Sequence, residues 1–318
     1  MVLGGFMMEV YELDRDRIWE RALERFDGTF YHTLLWRDVV EKIYGLDPIY
    51  LIAEEDGIVG VLPTFRVGRI RKRLISIPFS PYGGVLGGAG KDLIRRALEI
   101  EDKIELRGFG ESDHLCTFIL ELNDDLWRKM GKKTRNSIRK AEKSGLEFSI
   151  EDRLEDFYYV YTKNMHRLGA PTHPIEFFEL LLDSDSVEMG VVSKGERLVA
   201  GAILLEYNGS MISGWAGSDD RYLSMCPNNL LYWGCIKYAC SKEFRYFDFG
   251  RSIVGSGTYR FKRGWGGKEV GLNYVRIPEG GMDTSMRNPM RRIFAKIWRI
   301  IPYEMTKAMS PLLRGLFP

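Results

Sequence analysis

Histidine and cysteine are scarce, with four of each in 318 residues. No C-x-x-C pair occurs, and no Cys/His group has the spacing of a zinc site. Cys116, Cys226, Cys235 and Cys240 are expected to be reduced core thiols, as in a cytosolic protein. No Ser/His/Asp or Cys/His set is visible, which argues against a triad-type nucleophile. Net charge is only +2, so any affinity for polyanions must come from local patches. No apolar run reaches the ~18 residues of a spanning helix. The opening "MVLGGFMMEVYELDRDRIWE" turns acidic at once and predicts no secretory leader.

Apolar residues make up 45% of the chain and aromatics 13%, which is enough for packed cores and excludes a disordered chain. The length suits about two domains. A repeat supports that number. Residues 48–67 and 187–207 each read strand, polar turn, strand, with turns at Glu55–Gly57 and Lys194–Glu196. Further strands are expected at 74–86 and 209–218, helices at 91–100 and 227–241, and strands at 103–110 and 245–252. Helical stretches at 30–45, 154–169 and 174–184 precede the hairpins. Corresponding positions lie about 140 residues apart, which indicates duplication of a domain, not a solenoid. The expected class is α/β (α+β), a mixed and mostly antiparallel sheet flanked by helices and present twice. The expected divisions are 1–124, 125–280 and a basic tail at 281–318.

Three stretches carry candidate chemistry. Residues 127–145 hold eight cations against one acid, Glu142, and read as a basic helix closed by Gly145. Lys132, Arg135, Arg139 and Lys143 fall on one helical face, which attracts phosphates. A solvated surface is the competing reading. The second stretch is "YFDFGRSIVGSGTYRFKRGWGG", 246–267. Gly250, Gly255 and Gly257 permit positive φ, but the spacing is not a dinucleotide fingerprint. Asp248 is the only carboxylate within this stretch, which also holds Lys262, and is the reserve candidate for a base. Arg251 is spaced to pair with Asp248, and Tyr259 suits the wall of an acceptor site. In the third stretch, Arg287, Arg291, Arg292, Lys296 and Arg299 alternate with apolar residues, the composition of an interfacial helix over 287–301 that Pro302 stops or kinks. A helix packed on the second domain is the alternative. The glycine-rich 82–90 lacks P-loop spacing and is expected to be a flexible loop. His166 and His173 are expected to pack.

Several of these stretches resemble the FemAB family, which adds amino acids to cell-wall precursors, and the related N-acyltransferases with a GNAT-like fold. They are "KKTRNSIRKAEKSGLEF", "NMHRLGAPTHPIEFFELL", "PNNLLYWGCIKYACSKEFRYFDFGRS", "GTYRFKRGWGG" and "NPMRRIFAKIWRIIPYEM". The resemblance implies two tandem GNAT-like domains and transfer of an aminoacyl or acyl group to an amine of an envelope, glycan or peptide precursor. It places Lys262 near the acyl-transfer centre, where an ammonium stabilises developing negative charge. Lys132, Arg135, Arg139, Arg251 and Tyr259 would bind substrate, and Asp248 would assist. The donor would be aminoacyl-tRNA, or acyl-CoA or an acyl-carrier thioester if only the fold persists, with no tightly bound cofactor and no metal. The acceptor would be a small molecule or lipid-linked, with no DNA, and the composition of 287–301 is what allows peripheral membrane contact. The GNAT pyrophosphate turn is missing at "SGWAGSDDRYLSMCPNNLL", which speaks against coenzyme A. The reading from another class is a non-catalytic scaffold at the envelope or membrane surface.

Overall fold

The computed structural model describes residues 8–68, 72–279 and 289–318. The chain starts with β1 (Glu9–Glu12), α1 (Asp16–Phe26), a 3-10 turn, α2 (Leu34–Tyr44), and the hairpin β2 (Asp47–Glu54) and β3 (Ile58–Val67). Then come β4 (Arg73–Ile75), β5 (Leu86–Gly87), α3 (Gly90–Ile100), β6 (Ile104–Phe109) and β7 (Leu115–Glu121). The middle holds α4 (Leu126–Lys129), α5 (Lys132–Lys143), β8 (Glu147–Ile150), α6 (Leu154–Leu168) and α7 (Ile175–Leu182). The repeat resumes with β9 (Val187–Lys194), β10 (Arg197–Tyr207), β11 (Ser210–Ser218), a 3-10 turn and α8 (Pro227–Ser241). The chain continues through β12 (Tyr246–Asp248), β13 (Ser252–Ile253), α9 (Gly257–Arg263), β14 (Lys268–Ile277), α10 (Pro289–Ile300) and α11 (Tyr303–Arg314).

Two compact units result. One holds 1–111, 272–282 and 316–318; the other holds 112–271 and 283–315. The expected hairpins form antiparallel pairs, β2 with β3 and β9 with β10. In both units a helix then leads to a parallel pairing, β4 with β6 and β11 with β12. The parallel pairs follow from the helical crossover, which brings the chain back to the same end of the sheet. The copies trade their last strands. β7 follows β6 in sequence but pairs with β12. Conversely, β14 follows β12, gives its first four residues to β7, and then pairs with β6 from Leu272 to Ile277. For this reason the division falls at 111/112 instead of the expected 124/125.

In the second unit, Leu198–Leu205 of β10 is buried throughout. Such an unbroken apolar run marks a strand covered on both faces. α6 covers one face, and α8 with α5 covers the other through Ile138, Leu231 and Ile236, in a cluster that includes Phe247 of β12. α8 passes so close to β8 that a Cβ on Gly234 would lie 2.2 Å from Cγ of Phe148. Alanine in a helix is normally worth about 1 kcal/mol over glycine. Here we expect Gly234→Ala to destabilise by about 2 kcal/mol, because the ring must move out of a packed core. A lowered thermal midpoint checks this, and a raised one would refute the close packing.

Some expectations fail locally. The strand expected at 74–86 stops at Ile75. Its remainder is a packed loop, with Ser76, Ile77, Phe79, Ser80 and Tyr82 buried, and the stretch expected as a loop at 82–90 includes the short strand β5. The strand expected at 245–252 ends at Asp248. The basic helix is two helices, α4 and α5, separated at Met130–Gly131. Cys116 and Cys235 are buried free thiols as expected, whereas Cys226 is half-buried and Cys240 exposed. Among the described residues no helix is long and apolar enough to cross a membrane.

Candidate active site

The short strand β12 delivers Asp248 to the base of a tight turn. Asp248 is buried, and its Oδ1 accepts hydrogen bonds from Gly250 N at 2.7 Å and from Thr117 Oγ1 on β7. Gly250 has φ 71°, and a Cβ there would lie 2.8 Å from the Ser213 carbonyl oxygen, so only glycine fits. The turn aims two carbonyl oxygens at one point, where the ammonium of Lys262 donates to Gly250 O at 2.9 Å and to Arg251 O at 3.2 Å. Lysine has three N–H donors, and these two bonds use two of them.

Lys262 reaches this point because its segment is helical. Ser256 caps α9, its Oγ accepting from Tyr259 N at 3.1 Å. Within the helix Lys262 faces inward and is 5% exposed, while Arg260 and Arg263 face solvent. Phe261 meets the Tyr232 ring edge-on and Trp265 meets it at a tilt. Gly255 has positive φ as expected, but Gly257 opens the helix instead. Burial drives the Lys262 pKa down to about 8; the nearby Asp248 and Cys116 oppose that shift, and Arg251 adds to it. The Cys116 thiol is pushed up to about 11 by burial and then by Glu269, so it is a neutral thiol at physiological pH. Tyr259 Oη donates to Glu269 Oε2 at 2.9 Å, which raises the phenol pKa.

Residues 128–263 match the family described as an acetyltransferase (GNAT) domain. No curated protein matches in sequence. Among solved structures, FemX superposes with TM-score 0.64 at 15% identity, over 83% of this chain and 95% of that one. L-PGS from Bacillus licheniformis gives 0.54 at 15% identity, over 92% and 98%. A tandem GNAT protein from the clavulanic acid biosynthesis pathway gives 0.57 at 10% identity, over 87% and 100%. The fold is GNAT-like, as in these structures. At these identities the likeness is one of fold, present twice in tandem.

In this GNAT-like frame the basic helix meets the lysine helix. Gly264, which ends α9, accepts at its carbonyl from Gly131 N at 3.0 Å and from Thr134 Oγ1 at 2.9 Å. These bonds break the expected continuous helix at Gly131 and tie the start of α5 to the end of α9. The two stretches are about 130 residues apart in sequence, and nothing local announces the contact. Lys132 lines an open groove of about 480 Å³ with Lys133, Asn136, Ser137 and Lys140. Arg135 and Arg139 have other duties. Arg135 donates to the carbonyls of Trp127 and Arg128 at 3.1 and 3.3 Å, and Arg139 lies 5.3 Å from the Trp127 ring centroid. Both reach from α5 to α4, while Lys132, Lys133 and Lys140 stay on the groove. Arg251 is exposed and contributes its carbonyl oxygen to the lysine site.

Thr117, Cys116 and Glu269 were not anticipated. The first two sit on β7, which the sequence reading assigned to the other domain, and Glu269 sits past the motif on β14. The histidines pack as expected. His166 Nε2–H donates to Ile301 O at 3.1 Å, and buried, neutral His173 accepts from Arg314 Nε at 3.2 Å.

Proposed function

We propose that the protein is an N-acyltransferase that passes an aminoacyl or acyl group to an amine on a cell-envelope, glycan or peptide precursor. The observation that carries this reading is the buried Lys262 ammonium, held by two carbonyls inside a GNAT-type segment. In the transfer the acceptor nitrogen forms a bond to the acyl carbon. The donor C–O or C–S bond breaks, and the proton leaves the amine for the departing oxygen or sulfur. Lys262 faces the carbonyl oxygen as charge develops there, and the site supplies orientation. Asp248 sets the turn that holds the lysine and is the reserve base.

An aminoacyl-tRNA donor is favoured over coenzyme A. Before α8 the chain makes a 3-10 turn, Asp220–Met225, with no glycine turn, and Pro227 removes the first helical N–H. Asp219 stands at the same turn, held by Arg221 Nη2 at 2.6 Å. A pyrophosphate gains little from such a turn. The open groove on α5 suits an RNA or nucleotide-linked phosphate. Charged tRNA and acyl-CoA, each offered with amine-bearing precursors, would be read by product mass. We expect an aminoacyl mass on the acceptor. Replacing Lys132, Lys133 and Lys140 together by glutamine should weaken tRNA binding at least tenfold and lower its salt dependence by about 2 to 3 in log–log slope. An acyl mass that appears only with acyl-CoA would transfer the reading to the thioester donor. No product from either donor would favour the scaffold reading.

A further inference from the structure

α10 and α11 each carry an apolar stripe that the fold leaves uncovered. Both helices are fastened to the second unit by one face only. On α10, Trp298 is buried and stacks on Phe294 at 5.3 Å, Ala295 packs on Gly169, and Arg299 Nη2 donates to Leu168 O at 3.0 Å. On α11, Tyr303 Oη meets Thr162 Oγ1 at 2.8 Å, and Thr306 and Ser310 are buried. This is the packed helix that the sequence allowed as the alternative to an interfacial one, yet the packing uses only part of the surface.

On α10 the remaining apolar residues include Ile293, Ile297 and Ile300, all between 50% and 82% exposed. Their spacing of four and three places them on one helical stripe. Met305, Met309 and Leu312 repeat that spacing on α11, with Leu312 81% exposed. Exposed apolar surface of this extent on a soluble fold marks an interaction site. The charges beside it are of one sign. Arg292, Lys296 and Arg299 each precede a stripe residue and are exposed, and no acidic residue occurs between Asp283 and Glu304. Arg287 and the Arg291 side chain lie outside the described residues.

A second copy of the chain is a poor cover for this stripe, since it would bring its own unbalanced cations to the contact. An anionic lipid surface supplies both an apolar layer for the isoleucines and phosphates for the cations. We propose that α10, with the stripe of α11 as a second contact, docks the protein on an anionic membrane surface. The inference does not depend on the acyl chemistry and is tested without an activity assay.

The full chain is mixed with vesicles of phosphatidylglycerol and phosphatidylcholine, or of phosphatidylcholine alone, and bound protein is separated by sedimentation. Binding to the anionic vesicles is expected, with loss at salt on the order of 0.5 M. Arg292→Gln with Lys296→Gln should lower partitioning about 25-fold, at roughly fivefold per cation. Ile293→Ser with Ile297→Ser should lower it at least about tenfold while leaving the circular dichroism spectrum unchanged, since both side chains are exposed. Absence of binding to the anionic vesicles would overturn the proposal. So would equal binding by the serine variant, or a dimer in light scattering that the serine variant dissolves.

Discussion

Lys262→Ala should lower transfer by about 10²–10³-fold, the loss typical of removing one donor to a developing oxyanion. The effect should fall on kcat, because the ammonium matters most as negative charge develops. Lys262→Met is the companion variant, since it keeps the volume of the aliphatic stem and removes only the donor. Product mass spectrometry measures both. Undiminished transfer in a folded variant would remove Lys262 from the chemistry. The pH dependence follows from burial. A role that needs the ammonium is fulfilled below the folded pKa of about 8 and is lost as pH rises through it. Stability moves the other way. Between about 8 and the ordinary lysine value of 10.5 the unfolded chain binds more protons at this group than the folded one, so stability rises with pH across that window. Below pH 8 the full cost of burying the charge is present, on the order of 3 kcal/mol from the size of the shift. Lys262→Met should abolish that slope in a plot of thermal midpoint against pH.

Asp248→Asn separates two roles for the buried carboxylate. Both of its named donors, Gly250 N and Thr117 Oγ1, go to Oδ1. An amide oxygen in the same place keeps both bonds, so the turn should survive. What disappears is a negative charge that raises the Lys262 pKa. The alkaline limb of the activity profile should therefore move to lower pH by about one unit, with activity at pH 6 largely retained. If Asp248 is instead the general base, the asparagine variant loses activity at every pH. Asp248→Ala removes the acceptor and orphans two donors in a buried place. We expect it to cost about 2–4 kcal/mol in stability and to release the carbonyls that hold the lysine.

Much of this layout was legible in the sequence for definite reasons. The hairpins were marked by Val/Ile/Leu runs around Gly57 and Gly195, and the duplication by matching offsets. Lys262 stood out because the resemblance to the FemAB family placed it near the transfer centre. What the sequence hid depends on contacts between distant residues. Gly131 interrupts the basic helix because its N–H reaches the carbonyl of Gly264, a partner far away in the chain. Arg135 and Arg139 lie on the face that periodicity selects and also reach α4, while Lys132 of the same face lines the open groove with Lys133 and Lys140. Thr117 was invisible as a site residue because β7 was read as the end of one domain when its pairing places it in the other.

The traded strands set an order of events during synthesis. β6 finds its partner on that side only when Leu272–Ile277 has left the ribosome, about 160 residues after β6 itself. At about 5–20 residues per second, that edge stays open for roughly 10–30 s. An unpaired edge is a place for wrong pairing between chains. Neither copy is a module that can be cut out at a linker and moved elsewhere, because each is completed by chain from the other.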